Sequence, residues 1–202
     1  MAKESTLKNM LVTLTLICLV SSAILVGVYS LTKDPIDKAN KTAEIAAIAR
    51  VVPKFETLST PETIKVETNS DKVAIVYKAF NKDQELIAYA IKITTSKGFG
   101  GNVTVMVGIT PDGNFFNTKV LAHTETPGLG AKMDPKQSNF SEQFKGKDPK
   151  VFKLAPTKDG GDVDAITAAT ISSRAYCDAL QMAVKVFNNL QNEKSKEVND
   201  VE

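Results

Sequence analysis

A single uncharged apolar stretch near the N-terminus constrains this chain more than any other feature of its sequence. No charged residue occurs from Asn9 to Thr32, and Met10 to Leu31 is almost entirely apolar. As an α-helix these 24 residues would be about 36 Å long, enough to cross a hydrocarbon layer of about 30 Å with some tilt. We therefore expect a transmembrane helix over residues 9–32, anchored in the lipid bilayer and preceded by a short tail over residues 1–8.

A cleaved signal peptide is the competing interpretation of this stretch. The apolar core of a signal peptide is usually about 7–15 residues long, and no convincing A-x-A cleavage site follows here. Thr15-Leu16-Ile17-Cys18 is a poor lipoprotein site, because Ile17 is bulky where a small residue is required. An uncleaved anchor is therefore favoured. Lysines flank it on both sides, so the positive-inside rule does not determine its orientation.

The composition of the chain is that of a globular domain with a membrane segment. Hydrophobic residues make up 43% and charged residues 24%, which argues against a disordered chain. The net charge of +2 lacks the basic surplus of a nucleic-acid-binding protein, so we expect no nucleic-acid partner. Two cysteines and one histidine are too few for a disulfide framework, a thiolate cluster or a histidine-rich metal site, so we expect no metal site. Cys177 is most simply a small buried apolar residue.

The pattern after the anchor predicts an α+β domain. A broad apolar stripe predicts a helical connection over residues 33–57, with Pro35 in its first turn, although this helix could simply continue the anchor. Runs rich in β-forming residues predict a mainly antiparallel sheet with packed helices in a domain over residues 58–192. The expected strands are Thr63 to Thr68, Lys72 to Phe80, Glu85 to Thr94, Asn102 to Ile109, Phe115 to His123 and Val151 to Leu154. We expect turns at Asn69-Ser70-Asp71 and Pro111 to Asn114, an irregular or helical excursion over Lys132 to Lys150, and a frayed charged tail over 193–202.

A segment of small and hydroxyl residues, Asp164 to Ser173, opens the last helix. Apolar residues then recur with the helical period of 3.6 and define one buried face: Tyr176, Leu180, Ala183, Val184, Phe187 and Leu190. The N–H groups and the positive dipole end of such a helix suit a phosphate group. An ordinary helix N-cap, for which Thr and Ser are favoured without any ligand, is the alternative.

Three blocks of sequence carry a family resemblance. Asp164-Ala165-Ile166-Thr167-Ala168-Ala169-Thr170 resembles the flavinylation motif D-x-x-[ST]-G-A-T of the FMN-binding domain family. His123 to Gly130 resembles that family's H-x-E-T-P-G-x-G loop, and Gly98 to Gly101 resembles its G-[YF]-G-G segment. With one N-terminal span, the chain is most similar to the G subunits of Rnf-type ion-translocating ferredoxin:NAD oxidoreductases, which are related to the C subunits of sodium-pumping NADH:quinone reductases.

The resemblance implies a membrane-anchored electron-transfer subunit rather than a complete enzyme, with FMN bound covalently as a phosphoester of Thr170. It also implies a separate flavin transferase and other membrane subunits as partners. The location it implies is the bacterial inner membrane, with the short tail over residues 1–8 in the cytoplasm and the domain on the periplasmic or extracytoplasmic side. No catalytic residue is expected. The other expected FMN-binding residues are Asp164, Thr167, Ala168, Ala169 and Ser172 of the motif, and Glu125, Thr126, Pro127, Gly128, Leu129 and Gly130 of the loop.

One position departs from the family pattern. Ala168 stands where the motif has glycine, and a Cβ there would be strained if the backbone requires a positive φ angle. A C-type subunit of a sodium-pumping reductase is one alternative, and a membrane-anchored scaffold domain that has lost its flavin is another. A stand-alone reductase with noncovalent FMN is a third alternative, although the sequence has no glycine-rich βαβ unit for a nicotinamide cofactor.

Overall fold

The computed structural model describes residues 6–66 and 72–199, and it divides into two units, Met1–Ala43 and Glu44–Glu202. The first helix, α1, is continuous over Leu7–Val51 and contains Pro35 in its interior. The expected break between an anchor ending at residue 32 and a second helix is therefore absent, and the alternative of one continuous helix is the correct one. Proline removes one backbone hydrogen bond and crowds the preceding turn, at a cost of about 3 kcal/mol in a helix interior, and α1 continues past it.

In the first unit, α1 has the properties of a membrane span. None of the residues in its most apolar 18-residue window is buried, and leucine, isoleucine and valine side chains are exposed all around it. Exposed apolar surface of this extent is unfavourable in water and favourable in lipid, where a helix also satisfies its own backbone hydrogen bonds. Within residues 6–66 and 72–199, α1 is the one helix with the length and composition to cross a membrane.

The second unit contains a six-stranded antiparallel sheet, which confirms the predicted fold class. Its strands run in the order β1-β3-β4-β5-β6, and β2 pairs with β3 beside β1. Their bounds are Thr57–Leu58 (β1), Glu62–Lys65 (β2), Val73–Phe80 (β3), Leu86–Thr95 (β4), Val103–Ile109 (β5) and Phe115–His123 (β6). The predicted turn at Asn69-Ser70-Asp71 lies outside the described residues.

The predicted strand from Val151 to Leu154 is wrong. The backbone N–H groups of Val151 and Phe152 both donate to the carbonyl oxygen of Asp148, which makes this segment a turn. The Phe152 ring packs edge-on against Phe144, with 6.3 Å between the ring centroids. The turn supplies backbone hydrogen bonds and the aromatic contact packs the Phe152 side chain, so this short apolar run forms no strand.

The second helix, α2, covers one face of the sheet over Thr170–Asn199. Five of the six residues of its predicted apolar face are buried, and Phe187 makes an edge-on contact with Tyr89 of β4 at 5.5 Å. Residues 193–199 of the expected frayed tail belong to this helix. Three 3₁₀ helices, Gly130–Met133, Phe140–Phe144 and Thr157–Asp159, lie in the long connection between β6 and α2.

The last turns of α1 cover the opposite face of the sheet. Ala47, Ile48 and Val51 are buried there, against alanines of β3 and β4 and Met106 of β5. Glu44 accepts hydrogen bonds from the Tyr77 hydroxyl at 2.9 Å and from Lys92 Nζ at 2.8 Å. These contacts place residues 44–57 with the folded unit, which therefore begins before the predicted boundary at residue 58.

Candidate functional site

The buried carboxylate of Glu125 joins the three sequence blocks to one another. Its side chain lies in the loop after β6, and the residue is only 6% exposed. Glu125 Oε1 accepts a hydrogen bond from the backbone N–H of Gly100 at 3.1 Å, and Oε2 accepts one from the Ser172 hydroxyl in the first turn of α2. The loop after β4, the loop after β6 and the N-terminus of α2 therefore form one site.

Glycines make room for this carboxylate. A Cβ at Gly98 would overlap Glu125 Oε1, and a Cβ at Gly130 would overlap both Glu125 Oε2 and the Ser172 hydroxyl. Glu125 occupies part of the space left by the missing side chains of Gly98 and Gly130, and the Gly101 carbonyl oxygen also lies close to Gly98. Gly128 differs, because it has open space around it and a φ of +75° that favours glycine.

A tight turn leads the chain into α2. The Ala169 N–H donates to the Ile166 carbonyl oxygen at 3.0 Å and closes a four-residue turn. Ala168 is the third residue of this turn and has a φ of 60°, the left-handed conformation that favours glycine there. The buried Ser173 hydroxyl fixes the turn from within, since it accepts the Ile166 N–H at 2.9 Å and donates to the Ala169 carbonyl oxygen at 3.0 Å.

Thr170 is the first residue of α2 and lines a cleft of about 330 Å³. The first α2 residue whose N–H has a backbone acceptor is Ser173, and the N–H groups of a first helical turn have no intrahelical partner. Three exposed apolar side chains form the rim of the cleft: Phe99 at 69%, Leu129 at 42% and Ile171 at 46% exposure. This combination suits a ligand with a planar apolar part and an anionic group.

Eight of the twelve predicted site residues line the cleft, and four do not. The eight are Glu125, Thr126, Leu129, Gly130, Ala168, Ala169, Thr170 and Ser172. Asp164 and Thr167 line a second cleft of about 320 Å³, together with Lys132 and Gln143. Pro127 and Gly128 are exposed and line neither of these clefts.

Phe99 and Ile171 line the cleft and were not among the predicted site residues. Phe99 lies inside the Gly98 to Gly101 block, at the aromatic position of the G-[YF]-G-G segment. Ile171 is an apolar residue that does not fall on the periodic buried face of α2. Its apolar side chain outside that face is the sequence feature that could have identified it as a cleft residue.

Cys177 and Tyr176 of α2 are buried, and His123 makes a hydrogen bond within the loop after β6. Burial raises the pKa of the Cys177 thiol to about 12, so it is neutral near pH 7 and packs as a small apolar residue, as predicted. Burial also raises the pKa of Tyr176, whose hydroxyl donates to Thr118 at 2.8 Å. His123 Nδ1 accepts the N–H of Glu125 at 3.2 Å and so holds the loop conformation.

Comparisons with known proteins agree on one family. The sequence profile of the FMN-binding domain matches residues 98–185, which contain all three blocks. The G subunit of the ion-translocating oxidoreductase complex of Vibrio atlanticus is 32% identical over 188 residues, covering 90% of this chain and 90% of that protein. The G subunit of the Pasteurella multocida complex is 33% identical and covers 89% of this chain and 93% of that protein.

Two further matches are shorter or more distant. The G subunit of the Shewanella baltica complex is 44% identical over 110 residues, about half of each chain (52% and 51%). The crystal structure of Shewanella oneidensis NqrC has 24% sequence identity and a TM-score of 0.46, and covers 71% of this chain and 73% of that one.

We predict that Ala168→Gly stabilises the protein. The left-handed conformation costs a residue with a Cβ about 1–2 kcal/mol, and the greater freedom of glycine in the unfolded chain offsets about half of this. The full-length protein in detergent should therefore gain up to about 1 kcal/mol in unfolding free energy, measured by urea denaturation followed by circular dichroism. Ala169→Gly is the matched control, because Ala169 is buried and has no positive φ, and it should lose stability. An Ala168→Gly protein less stable than wild type would contradict the strained turn.

We also predict that Glu125→Ala destabilises the protein by about 2–4 kcal/mol, because it leaves a void and removes the acceptor of two hydrogen bonds. Glu125→Gln should cost less than about 1 kcal/mol. Its amide oxygen can accept the Gly100 N–H, and its NH₂ can donate to Ser172. The same denaturation experiment compares the two variants, and equal losses would mean that the paired hydrogen bonds contribute little.

Proposed function

Because the chain belongs to the family of G subunits of ion-translocating oxidoreductase complexes, we propose that it carries FMN as a permanent phosphoester on Thr170. At the level of the family, it is a membrane-anchored electron-transfer subunit that works with the other subunits of such a complex. In this role it is one redox component of a multi-subunit Rnf-type ferredoxin:NAD oxidoreductase rather than a complete enzyme. The observation that carries the proposal is the position of Thr170, at the first turn of α2 and in a cleft with an apolar rim.

The N-terminus of α2 fits the phosphate of FMN. Thr170, Ile171 and Ser172 present first-turn N–H groups to the cleft end of the helix, where the dipole is positive. A phosphodiester keeps one negative charge, which a helix N-terminus stabilises by about 0.3–1 kcal/mol. The small side chains of Ala168 and Ala169 let the backbone approach the phosphate closely.

The rim of the cleft fits the isoalloxazine ring. Phe99, Leu129 and Ile171 come from three different segments and offer apolar contact surface around the opening. The volume of about 330 Å³ lies at the lower end of the range for cofactor sites. Bound FMN supplies the redox chemistry, while these residues hold it in position and shield it from water.

The ester requires an external enzyme. Within residues 6–66 and 72–199 the Thr170 hydroxyl has no base as a hydrogen-bond acceptor, and an unactivated threonine is a weak nucleophile. We infer that a flavin transferase brings FAD to Thr170. The Thr170 Oγ–phosphorus bond then forms as the pyrophosphate bond of FAD breaks, AMP leaves, and a base of the transferase takes the hydroxyl proton.

A covalent attachment matches the location we propose for the domain, on the extracytoplasmic side of the inner membrane. FMN lost there could not easily be replaced from the cytoplasm. The α1 anchor also confines the domain to the membrane surface, which raises its effective concentration near partner subunits.

We predict that Thr170→Ala abolishes covalent FMN. Wild-type protein co-expressed with a flavin transferase should gain the mass of FMN less one water and fluoresce after denaturing electrophoresis, and Thr170→Ala should do neither. Thr170→Ser should retain both signals because it keeps the hydroxyl. Thr60→Ala is the control, since Thr60 is an exposed threonine that lines neither cleft. An unmodified wild-type chain would contradict the covalent carrier and leave the scaffold and the noncovalent-FMN alternatives.

The proposed orientation predicts that a cysteine at position 151 is labelled from outside the cytoplasmic membrane. Val151 is 78% exposed, so Val151→Cys in a Cys18→Ala background should react with a membrane-impermeant maleimide in intact spheroplasts. Cys177 is buried and should stay unlabelled, which the Cys18→Ala parent controls for. Labelling that appears only after lysis would place the domain in the cytoplasm.

A further inference from the structure

We propose that Gln143 is a positioning residue that holds the Asp164 to Thr170 segment, here called the acceptor segment, in the conformation on which the flavin transferase acts. This inference rests on the proposed function. Gln143 lies in the 3₁₀ helix Phe140–Phe144, 21 residues before Asp164, and does not line the cleft of Thr170.

The Gln143 side chain makes hydrogen bonds to both backbone polar groups of Asp164, and we call this pair of bonds the bracket. Its Oε1 accepts the N–H of Asp164 at 2.8 Å, and its Nε2 donates to the carbonyl oxygen of the same residue at 3.2 Å. Nε2 also donates to the Phe140 carbonyl oxygen at 2.9 Å, which fixes the amide to its own helical turn. One side chain therefore satisfies both backbone polar groups of a residue outside regular secondary structure.

The bracket constrains the acceptor segment at Asp164, between two other points of attachment. Ser173 holds the segment further on, at Ile166 and Ala169. Before it, Val163 is held by backbone hydrogen bonds with Ala155 and Thr157. The Asp164 side chain is exposed, and the backbone that orients it is fixed by Gln143.

An ordered acceptor segment should react faster. A transferase must hold the segment around Thr170 in one conformation at its own active site, and ordering a free segment costs conformational entropy at that moment. Because Gln143 orders Asp164 beforehand, that cost is already met in the folded apoprotein. Its loss should lower the apparent second-order rate of FMN incorporation and leave the final stoichiometry unchanged.

The test compares three full-length variants in detergent with a purified flavin transferase, FAD and Mg²⁺, at acceptor concentrations below saturation. Gln143→Met keeps the length of the side chain and removes all three hydrogen bonds. Gln143→Glu keeps the acceptor for the Asp164 N–H but turns an oxygen toward two carbonyl groups. Gln181→Met is the matched control, because Gln181 also donates from Nε2 to a carbonyl oxygen, that of Leu154 at 2.8 Å, away from the acceptor segment.

We expect the rate to fall about three- to tenfold in Gln143→Met, at least as far in Gln143→Glu, where a carboxylate oxygen faces two carbonyl oxygens, and not at all in Gln181→Met. In the apoprotein, amide hydrogen exchange at Asp164 should speed up in Gln143→Met while exchange at Val163 stays slow. Should Gln143→Met fail to fold, Gln143→Glu carries the same comparison.

The outcomes separate this inference from the proposed function. A wild-type protein that takes up no FMN would overturn both. If wild type loads normally and Gln143→Met loads at the same rate, the positioning role alone is wrong. An equal slowing in Gln181→Met would also overturn it, since the effect would then follow general stability rather than the bracket on Asp164.

Discussion

The hydrogen bonds of the Glu125 carboxylate are the interaction on which the candidate site depends. A buried carboxylate is tolerated only when its oxygens are paired, and here one accepts from Gly100 and the other from Ser172. The same carboxylate occupies the space that side chains at Gly98 and Gly130 would take. One side chain thereby connects three segments that are separate in the sequence.

The antiparallel register of the sheet brings these pieces within reach of Glu125. Thr95 at the end of β4 pairs with Val103 at the start of β5, and Val103 also pairs with His123 at the end of β6. Both loops therefore leave the sheet at the same end. Asp178 ties α2 to this end, since it accepts hydrogen bonds from Thr95 at 2.7 Å and Lys97 at 2.5 Å. The helix that carries Thr170 is thus fixed relative to both loops.

The turn before α2 divides the Asp164 to Thr170 segment between two surfaces. Ala168 and Ala169, the last two residues of the turn, and Thr170 after it line the cleft with the apolar rim. Asp164, before the turn, and Thr167, its second residue, line the second cleft. The positive φ of Ala168 produces this reversal, at the energetic cost of a Cβ in the left-handed region. One surface suits the bound cofactor. The other contains the exposed Asp164 and Thr167, with the Asp164 backbone held by Gln143.

The sequence by itself determined the membrane helix, the order and type of most strands, the buried face of α2 and the position of Thr170 at its start. These features are encoded in the spacing of neighbouring residues, as an uncharged run, a period of two or a period of 3.6. Only the tertiary structure decided that α1 continues past Pro35, that Val151 and Phe152 form a turn, and that Asp164 and Thr167 lie apart from the cleft. It also decided the partners of Glu125, which lie 25 and 47 residues away along the chain. Such contacts depend on strand register and on packing between distant segments, and the spacing of neighbouring residues determines neither of them.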